Sequence, residues 1–267
     1  MEIRIGIAGC LGKMGKELAK ASHLNNKTKL IGGFDLASHP NIGKTFNDVL
    51  NIDNQIIIEA DKEKVFKNSD VIIDFTTPEC THENLDYAKK FLKPIIIGTT
   101  GLSNETEILI DQISKNAPVI KSSNMSVGVN ILFNMVEKLS KKLDSKDYNV
   151  KIHEIHHKHK IDAPSGTALS IGEIVAKARN LNFDKKKKFE NFSDQHSERI
   201  GDIEFSVERK GEIPGHHFVN FTSENDEIEI IHKANSRKIF VDGAIKAAIW
   251  LVNQKPGLYS MKEVLEL

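Results

Sequence analysis

The sequence predicts an α/β protein on three observations. Residues 3–120 alternate short apolar runs with helical periods, the pattern of a parallel sheet covered on both faces. The first run, Ile3 to Ala8, passes directly into a glycine turn and then a helix. From Ser126 the pattern changes to a long amphipathic helix and half-buried strands before a last helix, so an α+β domain is expected to be inserted into the first.

Taken in order, Ile3 to Ala8 reads as a strand and Met14, Leu18 and Ala21 as the apolar face of a helix fading near Asn25. Between them lies Gly9, Cys10, Leu11, Gly12, Lys13, Met14, Gly15. Glycines let a backbone turn tightly and approach a ligand, and unpaired amides at a helix start attract anions, so the turn suits a pyrophosphate. A second strand, Lys29 to Phe34, ends in Asp35, twenty positions past Gly15, where a carboxylate can accept both hydroxyls of an adenosine ribose. A Rossmann-like dinucleotide-binding domain is therefore expected. Asp35 would repel a 2′-phosphate, and Leu36, Ala37 and Ser38 supply no offsetting arginine, so NADH is the expected cofactor, with NADPH possible.

Residues 41–55 are polar and read as irregular. Then follow a strand (Val71 to Phe75), a helix (Cys80 to Leu92), a strand (Pro94 to Ile97), a helix (Glu105 to Asn116) and a short strand (Val119 to Ile120). Their ends carry Asp74, Phe75 and Thr76, then Gly98, Thr99 and Thr100, then Ser122, Ser123 and Asn124. Turn residues follow most strands, but three successive polar ends on one predicted sheet edge point to the nicotinamide side of a cofactor. Val129, Leu132, Phe133, Val136 and Leu139 mark a long helix, Thr167 to Arg179 another, capped by Ser165 after Pro164. Lys185 to Lys188 reads as a solvated loop. Ile203 to Val207, Phe218 to Phe221 and Glu227 to His232 read as antiparallel strands, and Val241 to Val252 as the last helix.

Thirty-seven basic and 37 acidic residues cancel, so charge gives no reason to expect nucleic acid, and a small molecule is the expected partner. No apolar run approaches the roughly 20 residues of a membrane helix, and Ile3, Ile5 and Ile7 alternate from the start without a signal core. Only Cys10 and Cys80 are present, which fits a reducing cytoplasm.

The densest chemistry lies in EIHHKHKIDAPSGTA, residues 154–168, where His156, His157, His159 and Lys160 fall within five positions. Imidazoles titrate near neutral pH and the lysine adds a fixed charge, a combination suited to holding an anion and passing a proton. Histidine clusters also occur on inert surface loops. No cysteine is near and no zinc spacing such as HExxH is present, so no metal is expected. Asp162 could orient an imidazole or stabilise the turn before Pro164, and the turn is preferred.

With GCLGKMG, DFTTPE, GTTG, SSNMSVGVN and HKANSR in the same order around that stretch, the chain resembles the 4-hydroxy-tetrahydrodipicolinate (dihydrodipicolinate) reductases along essentially its whole length. The resemblance implies NAD(P)H-dependent reduction of a cyclic dicarboxylate in lysine and diaminopimelate synthesis. It implies that Gly9 to Gly15 and Asp35 bind the cofactor, with Phe75, Gly98, Thr100, Ser122, Asn124 and Met125 near it. It also implies His156 as proton donor, Lys160 as second catalytic residue, and His157, Gly166 and Thr167 as substrate contacts. Residues 1–126 plus 237–267 would form the dinucleotide domain, and 127–236 a substrate domain that drives a homotetramer. Two departures stand out: Leu36 occupies a place where a basic residue is common, and GHHFV replaces the usual GEHTV at His216.

The residues fit that chemistry. Hydride addition to a conjugated imine leaves charge on a neighbouring carbon, so an acid must stand there. Lys160, with the Ser165 hydroxyl and the Gly166 and Thr167 amides at a helix start, supplies partners for two carboxylates. A redox sensor that binds NADH without reducing anything is the alternative; it would have no need of a proton donor beside an anion site.

Overall fold

A computed structural model describes residues 2–189 and 202–267. The chain divides into two compact units, residues 1–127 with 238–267, and residues 128–237.

In the first unit the order is β1 (Ile3–Ala8), α1 (Lys13–Leu24), β2 (Thr28–Phe34), α2 (Phe46–Leu50), α3 (Lys62–Asn68), β3 (Val71–Asp74), α4 (Pro78–Phe91), β4 (Ile95–Ile97), α5 (Asn104–Ser114) and β5 (Pro118–Lys121). Among the described residues the strands of this unit make a six-stranded sheet in the order β11-β5-β4-β3-β1-β2, where β11 is Gly257–Tyr259, and every pairing is parallel. β3 and β4 are buried at every position, as strands covered on both faces must be. The chain lays β2 on one side of β1 and β3 on the other, so the carboxyl end of β1 lies at a topological switch point. Helix starts are capped as their sequences direct: Thr77 accepts the Cys80 amide ahead of Pro78, and Ser103 accepts that of Thr106.

The second unit takes up α6 (Val127–Lys142), which starts at its boundary, then β6 (Asn149–His156), α7 (Gly166–Ala178), α8 (Phe183–Lys186), β7 (Lys187–Phe189), β8 (Ile203–Arg209), β9 (Gly215–Thr222) and β10 (Glu227–Ala234). Its sheet runs β10-β9-β6-β8-β7. On one face Val150, Ile152, Phe205, Val219 and Phe221 pack with Leu132 and Val136 of α6 and Ile171 and Val175 of α7. α9 (Lys238–Leu251), β11 and α10 (Met261–Val264) then return to the first unit, where α9 places Val241, Ala244, Ala248 and Leu251 in the core with Ile5, Leu18 and Ile73.

Several expectations are corrected. Residues 41–55 contain α2, held by a Thr45–Asp48 capping box, so they are not wholly irregular. Lys185 to Lys188 is not a loop, because it spans the end of α8 and the start of β7. Phe183 and Phe189 stack on Phe205 at 6.1 and 5.7 Å, and Lys186 and Lys187 pair with Asp202 and Asp184, which relieves the charge of the run. β9 and β10 pair antiparallel, but β8 runs parallel to β6, which separates it from β9. No helix of the described residues is long and apolar enough to cross a membrane.

Candidate active site

The glycine turn at the end of β1 owes its shape to what side chains would strike. Gly9 adopts φ 65° in the left-handed region, and a Cβ there would lie 2.7 Å from Thr76. A Cβ on Gly15 would come within 2.0 Å of the Gly9 carbonyl, so only glycine allows α1 to approach β1. Gly12 is the N-cap of α1 and offers no side-chain cap, while Gly12 and Lys13 are exposed. The first amides of α1 therefore face outward at the positive end of the helix. Asp35 stands at the same place: its carboxylate accepts the Leu11 amide at 2.8 Å and the Leu36 amide at 2.9 Å. Cys10 is fully buried against Gly33, and burial drives its thiol pKa upward, so only its backbone can meet a ligand.

The neighbouring strand ends assemble differently. The Phe75 ring lies over Gly98, where a Cβ would meet it at 2.3 Å. Thr99 faces inward, its hydroxyl accepting from the Thr76 amide at 3.1 Å and from the Thr81 hydroxyl at 2.9 Å. Thr100 is exposed. Ser122 donates to the Asn124 carbonyl, Asn124 accepts the Ser126 amide, and Met125 is buried in the core, while Ser123 is exposed. Asp74, read with its neighbours as part of the nicotinamide side, points inward. It is fully buried, and burial raises its pKa although Asn84 and Thr76 donate to it at 2.9 and 2.6 Å. The cradle of glycines, the outward helix amides and the acid at the tip of β2 fit a dinucleotide.

In the second unit, the buried face of β6 changes character along its length, from Val150 and Ile152 to Glu154 and His156. β9 changes in register with it, from Phe221 and Val219 to His217, which lies opposite Glu154. The result is a polar pocket at one end of an apolar core. Glu154 is wholly buried, yet its carboxylate accepts from the Ser165 amide at 3.0 Å, the Ser165 hydroxyl and the Arg209 guanidinium at 3.2 Å. It also lies 3.5 Å from His156 Nδ1 and 3.7 Å from His217 Nε2. Burial pushes the His156 pKa down to about 4 against the opposing pull of Glu154, and that of His217 down to about 3. The Glu154, His156 and His217 donor atoms lie within 4.8 Å of one another, a cluster no sequence spacing revealed. The carboxylate charge is met by the Arg209 guanidinium.

Around it, Lys160 Nζ bonds Asp162 at 2.7 Å, so Asp162 partners the lysine and not an imidazole. Arg209 reaches the Lys160 and Asp162 carbonyls at 3.3 and 2.6 Å and so ties that loop to β8. Ser165 caps α7 through the Ala168 amide, and its buried hydroxyl is turned to Glu154. Gly166 is exposed, and a Cβ there would meet nothing within 4 Å, which leaves the helix start open. Thr167 follows it on α7, half-buried. The His157 ring lies 3.5 Å from Arg237, and His159 forms an exposed pair with Glu212. His216 sits in register with Lys233, where an acid would find a partner; instead burial and that lysine lower the His216 pKa.

Two family models match the chain: dihydrodipicolinate reductase, N-terminus, over residues 3–125, and dihydrodipicolinate reductase, C-terminus, over residues 128–265. A 4-hydroxy-tetrahydrodipicolinate reductase of Pelagibacter ubique is 42% identical over 99% of this chain and 98% of its own length. One from Polynucleobacter necessarius is 39% identical over 99% of each. Among solved structures, a dipicolinate-bound dihydrodipicolinate reductase from Paenisporosarcina shares the fold with a TM-score of 0.72, at 24% identity over 97% of this chain and 98% of that one.

Proposed function

Because the chain belongs to the dihydrodipicolinate reductase family, we propose that it reduces 4-hydroxy-tetrahydrodipicolinate to tetrahydrodipicolinate with His156 as the proton donor. The reading rests above all on one observation: a buried imidazole stands beside a lysine and an open helix start, the parts a dianionic substrate and a developing carbanion require. The redox-sensor alternative is not favoured, since the full-length relatives are reductases.

A reduced nicotinamide, when bound, supplies the hydride. Gly9, Cys10, Leu11, Gly12, Lys13, Met14 and Gly15 would hold its pyrophosphate and Asp35 its adenosine ribose. Phe75, Gly98, Thr100, Ser122, Asn124 and Met125 would shape the nicotinamide side. Lys160 would leave Asp162 for a substrate carboxylate, an exchange of one charged partner for another. The Gly166 and Thr167 amides would take the second carboxylate with His157, and Ser165 would hold the helix start in place.

Once the 4-hydroxyl has left as water to give the conjugated imine, His156 would give its proton to the carbon that hydride addition leaves negative. NADH is the proposed cofactor, because Asp35 opposes a 2′-phosphate and Leu36, 62% exposed, offers nothing to offset it. We infer residues 1–126 plus 237–267 as the cofactor domain and 127–236 as the substrate domain. The face of the second sheet away from its helices carries a cleft of about 870 Å³ lined by Phe189, Phe218 and Lys151, and is the face proposed to build a homotetramer. Two free thiols and the family's biosynthetic role support a cytoplasmic setting.

The test is NADH absorbance after the product of a dihydrodipicolinate synthase reaction is added. Oxidation well above background is expected, with turnover at least about tenfold lower in His156→Ala and Lys160→Ala and NADH affinity little changed. No oxidation in the unaltered protein would leave only a binding module.

A further inference from the structure

The pocket contains one charged group to which the reaction as described gives no task. Glu154 is fully buried, and a carboxylate in such a place is retained only against a large desolvation cost. Its hydrogen bonds are with Ser165 and Arg209, residues of the pocket. One oxygen takes the Ser165 amide and Arg209; the other takes the Ser165 hydroxyl and faces His156 and His217.

His156 Nδ1 is buried with no hydrogen bond of ordinary length among the described residues, and the Glu154 carboxylate is 3.5 Å from it. Nε2 lies on the other side of the ring, toward Gly215, where a Cβ would come within 2.8 Å, so the glycine leaves that nitrogen its space. The ring therefore turns one nitrogen to the carboxylate and the other to the room that Gly215 leaves.

We propose that Glu154 is a positioning residue of the reduction: clamped by Ser165 and Arg209, it orients His156 through Nδ1 and stabilises the imidazolium from which Nε2 gives up the proton. This rests on His156 being the donor. The charges that face His156 are Glu154 from its own strand, Lys160 and Asp162 from the loop that follows, Arg209 from β8 and His217 from β9, with His216 and His232 beyond it. Lys160 and Arg209 disfavour the imidazolium. Asp162 and Glu154 favour it, and Glu154 is the stronger of the two. Ser165 is also the cap of α7, so one carboxylate sets both the acid and the helix start that receives the substrate.

The experiment compares kcat and KM across pH in the unaltered protein, Glu154→Gln, Glu154→Gln with Arg209→Met, and His156→Gln. The double variant removes the guanidinium that Glu154→Gln would leave unpaired, and so carries the test should the single variant not fold. An acid must be protonated to act, so kcat should fall as pH rises through the His156 ionisation in the complex. Loss of the carboxylate should move that fall to lower pH by about 1 unit or more. At neutral pH kcat should drop about tenfold, with KM within about twofold. A merely structural role would lower the active fraction and leave the position of the fall unchanged, and that result overturns the proposal. A fall in kcat that survives in His156→Gln overturns the donor assignment and the proposal with it. One abolished there but unmoved in the Glu154 variants overturns the proposal alone.

Discussion

Burial pushes the His156 pKa down to about 4, whereas an acid must carry a proton. A bound dicarboxylate would resolve the conflict, because two negative charges beside the ring favour the imidazolium. The pKa would then rise from below the ambient pH, and a proton would be taken up on binding. Calorimetry of pyridine-2,6-dicarboxylate binding at neutral pH, in buffers of different ionisation enthalpy, is expected to show net proton uptake that His156→Gln abolishes. Release or no exchange would contradict the reading. At Asp35, catalytic efficiency is expected to favour NADH over NADPH by about tenfold or more, and Asp35→Ala to narrow that ratio. Equal efficiency in the unaltered protein would remove the carboxylate from cofactor choice. His156, His157, Lys160 and Gly166 could be grouped from the sequence because they lie within eleven positions of one another. Arg209 and His217 were not, because they arrive by strand register from more than fifty positions away, and nothing in the order of residues marks Glu154 as buried.

Among the elements, the contact between β1 and α1 is the most exacting. Gly15→Ala places a methyl 2.0 Å from the Gly9 carbonyl, which backbone cannot yield without moving the helix start. Overpacking of this kind costs about 1–3 kcal/mol, and the outward amides move with the helix. Both a lower melting temperature and an NADH dissociation constant raised about tenfold are expected; unchanged NADH binding by fluorescence titration would detach α1 from the cofactor. The long helices and fully buried strands of the first unit were readable from periodicity. The five-residue α2, the seven-residue α3 and the three-residue β11 were not, since each is too short to show a period and is fixed by packing. β8 was legible as a strand but not in its pairing, because alternation records which face is buried and not which neighbour lies alongside.

For the whole molecule, the buried histidines set an acid limit. His217 has its pKa lowered to about 3 by burial, from 6.5, so the unfolded chain binds this proton more readily than the folded one. The stability it withholds from acid is fully present above pH 6.5 and is lost as pH falls toward about 3. Melting temperature is expected to decline through that window, less steeply in His217→Asn; a parallel decline would assign the effect elsewhere. Light scattering is expected to give a mass four times that of the 29.9 kDa chain, reduced by Phe218→Asp on the outer face of the second sheet; a monomer would refute the tetramer. The return of the chain after residue 237 also bears on synthesis. α9 and β11 leave the ribosome after the second unit, yet α9 fills the core beneath β1 and β3, and β11 closes the edge of β5. The first unit, begun before the second, thus stays unfinished until residues 238–267 have emerged behind residues 128–237. A nascent chain arrested before α9 would present an open apolar groove, the state in which a chaperone has most to grip.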